Sequence, residues 1–205
     1  EFFTEKHGKA TGIIFGSTSK KIKNYLLIGN RFHINYFTKN ENSIGNLKIE
    51  IDKITTPFIL DIKLNFFCIV YSLNLISILS VENQKNTEVY NLLKNLFEFV
   101  KPNFDFHYYI LWELDLLKNF GYELNFIDYT KLIKKNNSKL YVSKVDQNKT
   151  IPSFLINKIS KDIDNKDIIK AFDLTGDFLS KSIFNENNLS IPTSRNEIAK
   201  ILNNL

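Results

Sequence analysis

The feature that most constrains this chain is a change in the spacing of its apolar residues near residue 55. Before that point apolar and polar residues alternate, as in residues 31–37 and 46–54, and a further β-branched run occupies residues 11–15. A period of two is typical of half-buried strands. After that point, for example over residues 87–100, the period approaches 3.6, which predicts amphipathic helices. The sequence therefore predicts an α+β chain with strands first and helices after.

Turn residues separate the predicted strands, at residues 16–19, at Gly29-Asn30 and at residues 40–45. Such residues are typical of hairpins in a small β-barrel. Pro57 marks the crossing into the helical part. We therefore predict two domains, a strand-rich domain at residues 1–55 and a helical domain at residues 56–205.

The helical part carries several start and stop signals. Thr87 is a predicted helix cap, Gly121 a predicted left-handed helix end, and Ser194-Arg-Asn-Glu197 a predicted capping box that opens a final helix over residues 197–205. Residues 66–81 are apolar, but sixteen residues are too few to cross a bilayer, so we expect a buried helix and no membrane segment. Residues 128–150 are polar and predict a small hairpin inserted among the helices.

Few residues offer catalytic or metal chemistry. Cys68 is the only cysteine, which excludes disulfides and sites with several cysteines, and we expect it to be buried and inert in a reducing cytoplasm. The three histidines lie in different elements, and Glu113 and Asp115 flank no cleft that the sequence identifies. We therefore predict no catalytic residue, metal ligand or cofactor, and we predict that the protein is not an enzyme.

The positive charge is concentrated in the strand-rich part. The chain carries a formal charge of +5, and residues 1–53 hold nine basic residues against five acidic ones. Basic loops beside rings such as Tyr25, Phe32 and Tyr36 favour binding of single-stranded nucleic acid, with cations on phosphates and rings on bases. The predicted phosphate contacts are Lys20, Lys21, Lys23, Arg31 and Lys9. The alternative is that the rings are core residues and that the lysines reflect the amino-acid usage of an AT-rich genome.

Several short motifs follow one another along the chain. They are Phe3-Thr-Glu-Lys-His-Gly-Lys9, Gly16-Ser-Thr-Ser-Lys-Lys21, Leu27-Ile-Gly-Asn30, residues 90–96, Tyr109-Ile-Leu-Trp-Glu-Leu-Asp-Leu-Leu117 with Phe120-Gly-Tyr-Glu-Leu-Asn125, Leu140-Tyr-Val-Ser-Lys144, Ile151-Pro-Ser-Phe-Leu155 and Leu174-Thr-Gly-Asp-Phe-Leu179. These motifs, in this order, resemble the bacterial RecO family of DNA repair proteins. The resemblance covers nearly the whole chain, and its most specific parts are residues 3–9 and 113–125.

The resemblance implies an N-terminal OB-fold-like barrel at residues 1–55 and a helical domain after it. It implies binding of single- and double-stranded DNA, annealing of complementary strands, and loading of RecA onto DNA covered by single-strand-binding protein, in the RecFOR pathway with RecR as partner. It also implies a cytoplasmic, nucleoid-associated protein. Many members carry a cysteine zinc site where this chain has residues 128–143, so we expect no metal there.

Two further expectations follow from the resemblance. The family usually begins well before the residues that match Phe2, so we expect the barrel to lack most of its first two strands and to have an open edge. We expect the acidic C-terminal tail of single-strand-binding protein to bind a groove of the helical domain rimmed by Arg195 and Lys118. The alternative function is a non-catalytic protein-interaction or structural module that does not bind DNA.

Overall fold

The structure is a computed structural model that describes residues 1–16, 19–38, 40, 44–55, 59–135, 138–158 and 163–205, with the side chains of Lys21, Lys135, Ser138 and Lys139 outside the description. The chain divides into two compact units, Glu1–Pro102 and Asn103–Leu205. The predicted boundary between residues 55 and 56 falls inside the first unit, between its last strand and its two longer helices. The division into domains at that point stays a prediction.

The first unit begins with two small sheets. Strands β1 (Phe2–Thr4) and β2 (Gly8–Ala10) form an antiparallel pair, and β3 (Gly12–Ile14), β4 (Arg31–Phe37) and β5 (Gly45–Lys53) form a sheet in the order β3-β5-β4. Strand β3 runs parallel to β5, and β4 runs antiparallel to it. The predicted α+β class is confirmed, whereas the strands that the structure describes form no closed barrel. β1 and β2 pair with each other instead of extending the second sheet.

The remaining elements of this unit are helical. A short helix α1 (Lys20–Lys23) lies between β3 and β4, and two longer helices follow, α2 (Lys63–Leu79) and α3 (Thr87–Phe99). Cys68, Tyr71 and Leu75 of α2 are fully buried, which confirms the predicted core helix. The cap of α3 is Asn86, whose Oδ1 accepts a hydrogen bond from Val89 N at 3.0 Å, and not Thr87 as predicted.

Contacts at β2 join the first sheet to the helices of the same unit. Lys9 Nζ donates to the carbonyl oxygen of Ser77 at 2.8 Å, and Asn83 N donates to the carbonyl oxygen of Lys9 at 2.7 Å. Gly8 has φ +64°, and a Cβ added there would lie 1.9 Å from the carbonyl oxygen of Gln84. Only glycine therefore fits at this position, both for its backbone conformation and for the close approach of a second chain segment.

The second unit contains helices and a three-stranded sheet. In chain order its elements are α4 (Phe106–Asn119), α5 (Phe126–Tyr129), β6 (Thr130–Lys135), β7 (Ser138–Ser143), β8 (Thr150–Ile151), α6 (Phe154–Asn157), α7 (Asn165–Leu179), a π-helical turn (Ser180–Phe184) and α8 (Thr193–Leu202). The antiparallel pair β6-β7 confirms the predicted hairpin, and β8 extends it to a third strand. Gly121 has φ +86° after the end of α4, as predicted.

The start of the last helix differs from the prediction. Helix α8 begins at Thr193, and no side chain caps its first turn, so the predicted capping box is wrong. The reason is that Ser194 and Arg195 are both buried, so Ser194 points into the unit instead of back to the helix end. In the part of the chain that the structure describes, no helix combines the length and apolar character that crossing a membrane requires.

Candidate nucleic-acid interface

Helix α1 presents the predicted lysines of the first unit. Gly16, with φ +72°, turns the chain after β3, and Ser19 caps the helix by accepting a hydrogen bond from Ile22 N at 3.4 Å. Lys20 and Lys23 are exposed, and among the described residues no ion pair involves either of them. The side chain of Lys21, the third predicted contact here, lies outside the described residues.

An open groove of about 440 Å³ lies between α1 and the second sheet. Its apolar lining comes from β3, α1, β4 and β5, and Asn46 and Lys48 add polar groups. Two of its rings reach into solvent, since Phe15 is 73% exposed and Phe37 is 61% exposed. Exposed rings beside lysines are the combination that binds single-stranded nucleic acid, because the rings stack on bases while the cations contact phosphates.

The rings singled out in the sequence are less accessible than these two. Tyr36 is 39% exposed, but its ring centroid lies 6.1 Å from that of Phe2, and its hydroxyl oxygen accepts a hydrogen bond from Gly45 N at 3.2 Å. Phe32 is half-buried, and Tyr25 is 41% exposed outside the groove lining. Sequence reasoning missed Phe37, although it shares the strand face of the polar residues Arg31, His33 and Asn35 and could have been found from that alternation.

The other two predicted DNA contacts of this unit already have partners. Lys9 is mostly buried, donates to the carbonyl oxygen of Ser77 and lies 3.8 Å from a carboxylate oxygen of Glu1. Arg31 Nε donates to Oδ2 of Asp52 on the neighbouring strand β5, and His33 Nε2 lies 3.6 Å from Oδ1 of the same carboxylate. Both cations would have to exchange a carboxylate for a phosphate, so the proposed patch rests on helix α1.

The second unit has a smaller apolar groove with lysines at its edge. Its apolar lining includes Leu111, Leu114, Phe126, Leu155 and Ile156, and Lys118 and Lys158 stand beside it. Lys118 Nζ lies 2.7 Å from Glu123 Oε1, and this hydrogen bond raises the pKa of the Lys118 ammonium. Lys158, which the sequence did not single out, lies 3.9 Å from Asp115 Oδ1.

The structure corrects the placement of Arg195, which is buried and does not rim this groove. Arg195 is 5% exposed, and its Nη1 donates to Glu113 Oε1 of helix α4. Its Nη2 donates to the carbonyl oxygen of Phe172 at 2.7 Å and to Thr175 Oγ1 at 2.8 Å, and its guanidinium carbon lies 3.9 Å from the Phe172 ring centroid. A guanidinium enclosed in this way cannot receive an incoming peptide.

The residues that the structure describes contain no group of three His, Cys, Asp or Glu side chains that could hold a metal ion. Cys68 is fully buried in helix α2, as expected.

Comparison with known proteins shows which family this chain resembles. The family model "Recombination protein O C terminal" matches residues 64–146, from helix α2 to the end of the β6-β7 hairpin. A DNA repair protein RecO from Rhodospirillum centenum is 22% identical over 207 residues, which cover 94% of this chain and 82% of the relative. The Rickettsia akari RecO is 28% identical over 197 residues, covering 90% and 82%. The chain is therefore similar to RecO proteins over most of its length.

Other RecO proteins match a shorter part of the chain at higher identity. The Rickettsia bellii (strain OSU 85-389) RecO is 32% identical over 124 residues, which cover 60% of this chain and 51% of the relative. No solved structure matches this chain.

Proposed function

We propose that this chain is a recombination mediator of DNA repair, acting in the bacterial cytoplasm on the nucleoid. It binds single- and double-stranded DNA, anneals complementary strands and helps load RecA onto DNA covered by single-strand-binding protein, with RecR as a partner. It works by binding and not by covalent chemistry. The family supports a role in DNA repair, and the ring-lined groove beside helix α1 is the observation that supports DNA as the ligand.

Annealing follows from the physics of such a surface. Lysines neutralise the phosphate charge that keeps two strands apart, while they leave base edges free because an ammonium group is a point charge. Binding through Lys20, Lys21 and Lys23 is therefore insensitive to base sequence. Stacking on Phe15 and Phe37 is equally tolerant, since every base has a π face.

The test is the salt dependence of binding to single-stranded DNA. If Lys20, Lys21 and Lys23 each neutralise one phosphate, together they contribute about 2 to the slope of log affinity against log salt, at about 0.7 per contact. Replacing all three by Glu removes that contribution and weakens binding to every sequence alike. Lys85→Glu with Lys94→Glu is the control, because these lysines are exposed elsewhere in the same unit.

The rings have a separate test. Phe15→Ala and Phe37→Ala each cost about 1–3 kcal/mol of binding free energy if a base stacks on the ring, with an unchanged salt slope. Full annealing by the triple Lys→Glu protein, together with unchanged affinity of the ring variants, would refute this groove as the DNA site.

The groove of the second unit is the proposed site for the tail of single-strand-binding protein. An acidic peptide with an apolar end matches the apolar lining of this groove, and its carboxylates would replace Glu123 and Asp115 as the partners of Lys118 and Lys158. A fluorescent peptide of that kind loses affinity on Lys158→Glu or Leu114→Asp, and the exposed Lys181→Glu is the control. Unchanged peptide binding by both variants would place the tail elsewhere.

The alternative is an interaction module that does not bind DNA. The observation in its favour is that Lys9 and Arg31 are engaged by internal partners. It predicts binding to RecR in size-exclusion chromatography without any salt-dependent binding to DNA, so the salt titration separates the two proposals.

A further inference from the structure

The segment that contains the sheet β6-β7-β8 is strongly basic, although the second unit as a whole is almost neutral. Residues 129–149 contain six lysines and one acidic residue, a net charge of +5, whereas the rest of residues 103–205 carries −4. The lysines are Lys131, Lys134, Lys135, Lys139, Lys144 and Lys149. A surface of one sign on an otherwise acidic unit raises the local concentration of a polyanion.

The described lysines of this sheet lack acidic partners. Lys134, Lys144 and Lys149 are exposed and Lys131 is half-buried, and none of the four forms an ion pair among the described residues. Lys144 Nζ donates to the carbonyl oxygen of Asp128 at 2.8 Å, which leaves its charge uncompensated by a carboxylate. Elsewhere in the same unit, Lys118, Lys158, Arg195 and Lys200 each pair with an acid, whereas Lys166 and Lys181 form no ion pair among the described residues.

The register of the hairpin adds an independent observation. Residues 134 and 139, both lysines, are direct cross-strand partners in the β6-β7 ladder. Like charges at directly opposite positions destabilise an antiparallel pair. An anion bound across the two strands relieves this repulsion, so the arrangement favours a ligand with negative charge repeated along its length.

Exposed apolar side chains accompany these cations. Tyr129 is 63% exposed immediately before β6, and Leu132 is 50% exposed within it. A tyrosine ring beside phosphate-binding lysines suits unpaired bases, which stack on aromatic rings. An acidic peptide would have no need of such a ring.

We propose that the β6-β7-β8 sheet is a second, independent binding surface for single-stranded nucleic acid, separate from the groove of the first unit. Exposed Lys134, Lys144 and Lys149 contact phosphates, and Tyr129 stacks on a base. The inference deepens the proposed function, because a protein that anneals strands gains from holding each strand on its own surface. It rests on that function only in taking nucleic acid as the ligand.

The test is native mass spectrometry of the full chain with a thymidine decamer. The unmodified protein binds two decamers per chain at saturation. The sheet variant Lys134→Glu/Lys144→Glu/Lys149→Glu binds one decamer. The binding step that it loses is the one whose slope of log affinity against log salt includes the roughly 2 units that three contacts supply, whereas the slope of the remaining step is unchanged. A neutral variant with Gln at the same positions also binds one decamer, which excludes an artefact of added negative charge.

A matched control carries the same charge change away from the sheet. Lys94→Glu/Lys166→Glu/Lys181→Glu replaces exposed lysines and keeps two decamers. One decamer on the unmodified protein, or two on the sheet variant, overturns the inference. A sheet variant that no longer binds an acidic peptide but still binds two decamers also overturns the inference.

Failure of the proposed groove is a different result. A Lys20→Glu/Lys21→Glu/Lys23→Glu protein that keeps two decamers contradicts the groove of the first unit, whereas the outcome for the sheet variant still decides the second surface. The two proposals can therefore fail separately.

Discussion

Arg195 shows how a single side chain organises the second unit. From helix α8 it donates hydrogen bonds to the carboxylate of Glu113 in α4. It also donates to the carbonyl oxygen of Phe172 and to the hydroxyl oxygen of Thr175, both in α7. Gly176 makes room for it, since a Cβ there would lie 3.1 Å from Arg195 Nε. Three helices thus share one guanidinium, whose fork of donors lysine could not reproduce.

Removing Arg195 should destabilise the protein strongly. Arg195→Ala leaves the fully buried carboxylate of Glu113 without its partner, and such a loss costs about 3–5 kcal/mol of unfolding free energy. The double variant Arg195→Met/Glu113→Leu should recover much of that loss, because no unpaired charge remains. Urea unfolding measures both. Lys200→Ala on the same helix breaks only an exposed pair with Glu197 and should cost less than about 1 kcal/mol.

His107 should make stability depend on pH. Burial lowers the pKa of its imidazole below 6.5, with a smaller opposing effect of Asp105. Since the unfolded chain then binds the proton more readily, His107 favours the folded state above about pH 6.5, and that contribution is lost as the pH falls below it. Compared with His107→Phe, the unmodified protein should lose unfolding free energy between pH 7.5 and pH 5.5. Parallel curves for the two proteins would contradict this assignment.

The scarcity of arginine is a signal that the sequence itself contains. Arginine occurs only at positions 31 and 195, and both form ion pairs inside the chain. In a lysine-dominated composition such scarcity indicates positions that need a planar, forked donor. The partner of Arg195 could not be found this way, because Glu113 lies 82 positions away in sequence and only the packing of helices brings the two together.

At the scale of elements, local patterns predicted the strands better than their pairing. Residues 31–37 form a strand as predicted, because alternation and β-branched side chains act locally. The parallel pairing of β3 with β5 depends on contacts far apart in sequence, which no periodicity records. The same reason explains the cap of α8, where burial of Ser194 overrides a local capping signal.

The β6-β7 hairpin should be stabilised by a change that weakens its proposed function. Lys134→Glu places a glutamate opposite the lysine at position 139, so that opposite charges replace like charges at these two positions. Favourable cross-strand pairs contribute about 0.2–1 kcal/mol to the free energy of unfolding. Thermal unfolding should therefore show a small gain in stability, while decamer binding falls. Lys166→Glu, on helix α7, serves as the control. A loss of stability on Lys134→Glu would show that the two positions do not repel.

At the scale of the whole molecule, the net charge of a long range can conceal a short, strongly basic segment within it. Residues 54–205 contain 18 basic and 17 acidic residues, which nearly balance. A count over this whole range therefore attributes the net positive charge to the strand-rich part. Counting by structural unit and segment locates the second concentration at residues 129–149. The sequence marks residues 128–150 as a polar hairpin, but the positive charge of this segment is distinct only against the acidic remainder of the second unit, which three-dimensional contacts define.

The units predict which fragments fold. Residues 1–102 should unfold cooperatively when expressed alone, because Lys9 of β2 is hydrogen-bonded to Ser77 of helix α2 and to Asn83 between α2 and α3. A fragment of residues 1–55 lacks these partners and should show no cooperative transition in circular dichroism. A cooperative transition for residues 1–55 would instead support the domain boundary predicted from periodicity.

The burial of two unique side chains provides a natural pair of reporters. Cys68, the only cysteine, is fully buried in the first unit, and Trp112, the only tryptophan, is 4% exposed in the second, 5.8 Å from the ring of Tyr109. Thiol labelling therefore follows opening of one unit, while indole fluorescence follows the other. The order in which the units of the native chain unfold can be read in one sample without introducing any label by mutation.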